Sequence, residues 1–110
     1  MSLKSIDPSN SIYEKHRIFD RACQIVERLL DNTKSRTISI KIKTLLKYAY
    51  VSYIKNTLEI PKLRGLVPRI RVPSRYANQY TYNDLVEVLR QNFKITVEKR
   101  RHNRYIIIYK

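Results

Sequence analysis

Three prolines, Pro61, Pro68 and Pro73, fall between Ile60 and Tyr80, together with the single glycine, Gly65. Proline removes an amide donor and clashes with the preceding helical turn. No continuous helix can therefore cross this stretch, and the chain divides into an N-terminal and a C-terminal block. Helical spacing of apolar residues dominates before the stretch. After it, one more helical pattern gives way at Asn92 to strict alternation.

In the first block, Ile12, His16, Phe19, Ala22, Cys23, Val26, Leu29 and Leu30 recur at helical spacing, widened by Ile18 and Ile25. The spacing predicts a helix over Ser11–Asn32. Ser11 and Glu14 fit a capping box, in which two otherwise orphan amides are satisfied. Short-range pairs such as Glu14 with Arg17 and Arg28 with Asp31 cancel its charge. The wide stripe suits a core, and also a homodimer seam along this helix. Thr37 to Ile42 alternates, as a short strand does. Ile42, Leu45, Leu46, Ala49 and Tyr53 then share a second helical face, with Ser39 as its predicted N-cap. Lys41, Lys43, Lys47 and Lys55 lie off that face.

The C-terminal block predicts a helix from Thr81 or Tyr82 to Asn92, with Leu85, Val88 and Leu89 inward. Lys94–Glu98 and Arg104–Lys110 read as two strands of a hairpin. Arg100-Arg101-His102-Asn103 forms its turn, with Asn103 placed to take a positive φ. The expected fold is one domain, residues 1–110, mainly α with a C-terminal antiparallel β-hairpin.

Charge is distributed unevenly along this frame. Residues 1–31 carry five basic and five acidic groups, so they sum to zero. The remaining residues carry 18 Lys and Arg against Glu59, Asp84, Glu87 and Glu98, a net of +14. That density is self-repelling and would be relieved by a polyanion, with nucleic acid as the expected partner. A solvated basic surface is the alternative. Lys62, Arg64, Arg69, Arg71 and Arg75 lie in the proline-bearing segment with no carboxylate among them. Arginine suits bidentate phosphate contact, and alternation in Arg69-Ile70-Arg71-Val72 would place both arginines on one side. Tyr76, Gln79, Tyr80, Tyr82 and Asn83 follow, able to stack on bases or read adenine edges, or equally to rim the core.

A helix beginning near Thr81, followed by a hairpin with a basic tip, resembles the recognition helix and wing of a winged-helix DNA-binding domain. The helix, short strand and second helix of residues 11–54 are similar to that family's preceding elements. The resemblance implies a winged-helix-like fold and duplex-DNA binding, as a transcription regulator or replication accessory. It implies Gln79, Tyr80, Tyr82, Asn83 and Arg90 at the major groove. Arg100, Arg101 and Arg104 would then place the wing on phosphates or in the minor groove, with Lys99 a further cation of the same basic tip. The chain departs from the family in the long segment before the third helix, and in Asp84 and Glu87 on that helix's outer face. Two other binding classes fit the same residues: a single-stranded DNA or RNA binder using Tyr76, Tyr80 and Tyr82, and a structural subunit of a nucleoprotein.

A second resemblance is to small messenger-RNA-cleaving toxins of the HicA type. It rests on Phe93-x-Ile95-x-Val97, the basic turn, and His102 before an apolar strand. That resemblance implies an acid–base role for His102, but Arg100-Arg101 stands where the family has Gly-Ser. Otherwise nothing marks an enzyme or a cofactor site. No phosphate loop, paired-histidine helix or nucleophilic triad is present, and His16 and His102 are isolated. One cysteine, Cys23, excludes an internal disulfide and a cysteine-rich zinc site, and reads as a small buried hydrophobe. With no signal pattern and no apolar run of spanning length, the chain is expected to be soluble and intracellular, without a membrane partner.

Overall fold

The computed structural model describes the backbone from Pro8 to Lys110 and the side chains from Tyr13 onward. The capping-box side chain of Ser11, the apolar contact of Ile12 and the expectation about an N-terminal signal lie outside the described residues. Eight elements follow in order. They are α1 (Pro8–Asn32), β1 (Thr37–Lys41), α2 (Ile42–Lys55), α3 (Ile60–Leu66), a 3-10 turn (Val67–Arg69), α4 (Gln79–Asn92), β2 (Lys94–Arg100) and β3 (Asn103–Tyr109). The fold is mainly helical, with one three-stranded antiparallel sheet in the order β1-β3-β2. The hairpin is present as expected. In addition β1 pairs with β3, Ile38 opposite Ile108 and Ile40 opposite Ile106, so β3 is the central strand.

The core follows the two periodicities. Ile18, Phe19, Ala22, Ile25, Val26 and Leu30 of α1 are buried. They meet Ile42, Leu45, Leu46, Ala49 and Val51 of α2, and Leu85, Val86 and Leu89 of α4. Ile106 and Ile108 close the core from the sheet. The stripe of α1 thus faces inward, leaving Tyr13 as its exposed large hydrophobic residue among the described ones.

Helix ends differ from the expectations. α1 already runs at Pro8, where a missing amide is harmless, so Ser11 lies inside the helix and is not its cap. α2 starts after Lys41, which provides no side-chain cap, and Ser39 belongs to β1. Thr81 does not begin α4. Asn78 caps that helix, its Oδ1 accepting from the Thr81 amide at 2.9 Å, while Thr81 is buried. The Asn78 amide also donates to the carbonyls of Ser74 (3.0 Å) and Arg75 (2.9 Å), which ties the preceding turn to the helix start.

The proline-bearing stretch holds more order than a surface loop. Pro61 and Pro68 each sit at the start of a short helical piece, where proline is tolerated. Leu63 anchors α3 in the core. Gly65 lies in α3 with φ in the ordinary range, and a Cβ built there meets nothing within 4 Å. Its glycine entropy is therefore uncompensated. Gly65→Ala should stabilise the fold by about 0.5–1 kcal/mol. Urea unfolding checks this, and a loss of stability would show a constraint on Gly65 that the packing does not contain.

Candidate nucleic-acid interface

α2 and the chain after α3 form a basic cleft. Helical spacing places Lys43 and Lys47 on one flank of α2, because residues four apart stack on one face. Opposite them run Pro68 and Arg69, then the extended Ile70, Arg71 and Val72. Ile70 and Val72 are half-buried against the core while Arg69 and Arg71 are exposed. Ala77 and Tyr82, at the start of α4, close the cleft. It encloses about 410 Å³, and among the described residues no carboxylate lines it. Arg69 and Arg71 are both exposed and line the cleft as Ile70 and Val72 do, but Arg69 closes the 3-10 turn and is not part of an extended piece. Lys43 and Lys47, which helical spacing alone left indistinguishable from a solvated face, join them.

The first turn of α4 borders this cleft. Burial of Leu85, Val86 and Leu89 turns Gln79, Tyr80 and Asn83 outward, and Tyr80 is 82% exposed. Tyr82 is half-buried, and burial raises its phenol above the ordinary value. Farther along the helix the charges are paired. Asp84 accepts from Lys15 at 2.5 Å, and Arg90 donates to Glu87 at 2.8 Å. Arg90 is thus held by a carboxylate one turn away.

Tyr76 takes the core-packing alternative and not the base-stacking one, and Arg75 is held beside it. Tyr76 is 3% exposed, its hydroxyl donates to Glu14, and its ring lies 6.1 Å from that of Tyr50. Arg75 lies over the same ring at 5.1 Å and reaches Glu14 at 3.3 Å. The pair fastens the turn before α4 to α1, and Tyr76 offers no face to a base. Glu14, expected in a capping box, is instead the acceptor of this clasp.

At the hairpin tip, Arg101 and His102 form the two-residue connection, since Arg100 pairs with Asn103. Arg101 takes the positive φ, 57°, in place of Asn103, which is drawn into the ladder. Lys99, Arg101 and His102 are exposed. Arg100 is paired with Glu98 and lies over the Tyr105 ring at 4.8 Å. Lys41 approaches that ring at 5.8 Å, which places the start of α2 and the tip at the same end of the sheet. Arg104 is half-buried opposite Lys99, with one guanidinium nitrogen buried and unpartnered among the described residues. Lys62 is exposed on α3, and Arg64 lines a separate cleft on the other flank of α2.

Other chemistry is sparse. Among the described residues no three His, Cys, Asp or Glu side chains gather as a metal site. Cys23 is half-buried rather than fully buried, and burial, with Asp20 and Glu27 nearby, pushes its thiol up to about 11. It is therefore a poor nucleophile at neutral pH. No described helix is long and apolar enough to cross a membrane. No protein-family model matches the chain, and no curated protein or solved structure matches it.

The Tyr76 clasp gives a pH signature. Burial first, then the hydrogen bond and charge of Glu14, raise the phenol from 10.0 to about 12. The folded state thus holds this proton after the unfolded chain has released it. The associated stability is complete below pH 10 and is lost as pH rises toward about 12. Tyr76→Phe should flatten the fall in stability across that window, as read from urea midpoints. An unchanged slope would contradict the clasp.

Proposed function

We propose that this chain is a winged-helix-like nucleic-acid-binding module that grips duplex DNA with one end of the molecule. The observation that carries the reading is the cleft of Lys43, Lys47, Arg69 and Arg71, free of carboxylates and bordered by the first turn of α4. The element order supports it: α1, β1 and α2, then a helix leading into a hairpin, with β1 completing the sheet. α3 and the 3-10 turn stand where the family has a short connection, and they deliver the two arginines.

In this reading the four cations hold phosphates and set the register. The α4 N-terminus adds its dipole, which favours a phosphate nearby. Gln79 and Asn83 face outward from the first turn, with amides suited to adenine edges in the major groove. Asp84 and Glu87 are paired with Lys15 and Arg90, so only the first turn approaches the DNA. Lys99 and Arg101 of the tip make a second backbone contact. Tyr80, the most exposed tyrosine, favours a rival reading in which single strands stack there.

Fluorescence anisotropy against duplex and single-stranded DNA of equal length, across a salt series, separates the two. With about four to seven phosphate contacts, the log–log slope for duplex should be about −4 to −6. Changing Lys43, Lys47, Arg69 and Arg71 together to Gln should weaken duplex binding by about tenfold or more. The slope should shrink by about three to four. A flat salt response overturns the reading. Preference for single strands that is lost in Tyr80→Ala moves the assignment to the stacking rival.

A further inference from the structure

α2 has a second flank. Thr44 and Tyr48, each one position on from Lys43 and Lys47, face a cleft of about 450 Å³ between α1, β1, α2 and α3. Its character is opposite to that of the basic cleft. Ile25 and Leu29 of α1, Ile38 and Ile40 of β1, and Ile60 of α3 give it an apolar wall. Among the described residues no carboxylate lines it, and Arg64 is the one cation that does. Arg64 is exposed on α3 and makes no ion pair among the described residues. The volume falls in the range of small-molecule sites, which combine an apolar wall with a few placed polar groups.

We propose that this cleft is a binding site for a small monocarboxylate with an apolar tail, of the size of octanoate. The tail lies along Leu29, Ile38 and Ile40, where it removes apolar surface from water. The carboxylate meets Arg64, whose planar fork matches two oxygens. A single cation balances a monoanion. A dianionic phosphate would leave one charge uncompensated against an apolar wall, so the headgroup assigned is a carboxylate. The proposal does not depend on nucleic-acid binding, because none of the cations of the basic cleft lines this one.

The test is an amide chemical-shift titration of the whole chain with sodium octanoate, at concentrations below micelle formation. 1-Octanol is the uncharged comparison. Saturable shifts should appear at Leu29, Ile38, Thr44 and Tyr48, with a dissociation constant of about 1 mM or tighter. Arg64→Gln, at an exposed position, should weaken octanoate by about fivefold or more and change 1-octanol by less than about twofold. Lys43→Gln with Lys47→Gln should leave octanoate binding unchanged. The proposal is overturned by any of three results: no saturable shift up to about 10 mM, shifts confined to the basic cleft, or equal octanoate affinity in Arg64→Gln.

Discussion

The burial of α2 positions every other element. Ile42, Leu45, Leu46, Ala49, Val51 and Ser52 are all inaccessible, and α1, α3, α4 and the sheet pack around the helix. Each large side chain so buried contributes about 1.5–3 kcal/mol from its apolar area alone. With the core-facing positions taken, only two narrow flanks of α2 remain. Lys43 and Lys47 occupy one, Thr44 and Tyr48 the other. α3 bounds the second flank, and the chain continuing from it bounds the first. The helix therefore makes two clefts of opposite chemistry from adjacent positions on two successive turns.

The distribution of carboxylates sharpens that contrast. Four acids follow residue 32, and three are paired: Asp84 with Lys15, Glu87 with Arg90, and Glu98 with Arg100. Such exposed pairs contribute at most about 1 kcal/mol to stability. Their larger consequence is for the field. They neutralise acids on α4 and the hairpin, while the cations of the basic cleft keep no acid among their lining residues. Like charges gathered there repel, and the polyanion partner we propose would relieve the repulsion.

Much of this frame was legible in the sequence. Helical spacing located α1, α2 and α4, and alternation located β1 and the hairpin, because each pattern reports which face is buried. The exposure of Arg69 and Arg71 beside half-buried Ile70 and Val72 followed the apolar pattern, although Arg69 closes a 3-10 turn. What escaped depends on contacts distant along the chain. Asn78 caps α4 through a turn that Tyr76 and Glu14 hold across 62 positions. No local pattern marks Tyr76 as buried, since the same ring suits a core or a base stack. α3 was obscured by Pro61 and the 3-10 turn by Pro68, since proline marks a helix start as readily as a helix break. Lys43 and Lys47 became site candidates only once Arg69 and Arg71 were seen across the cleft.

Nucleic acid, in the function we propose, lies on the flank of α2 bearing Lys43 and Lys47. Lysine acetylation read by mass spectrometry, with and without a saturating duplex, tests it most directly. Lys43 and Lys47 should be shielded by about fivefold or more in the complex, as ammonium groups engaged by phosphate are. Lys62, outside both clefts, should react at the same rate in either state. A duplex that binds while Lys43 and Lys47 react as fast as in the free protein would place the nucleic acid elsewhere on the molecule.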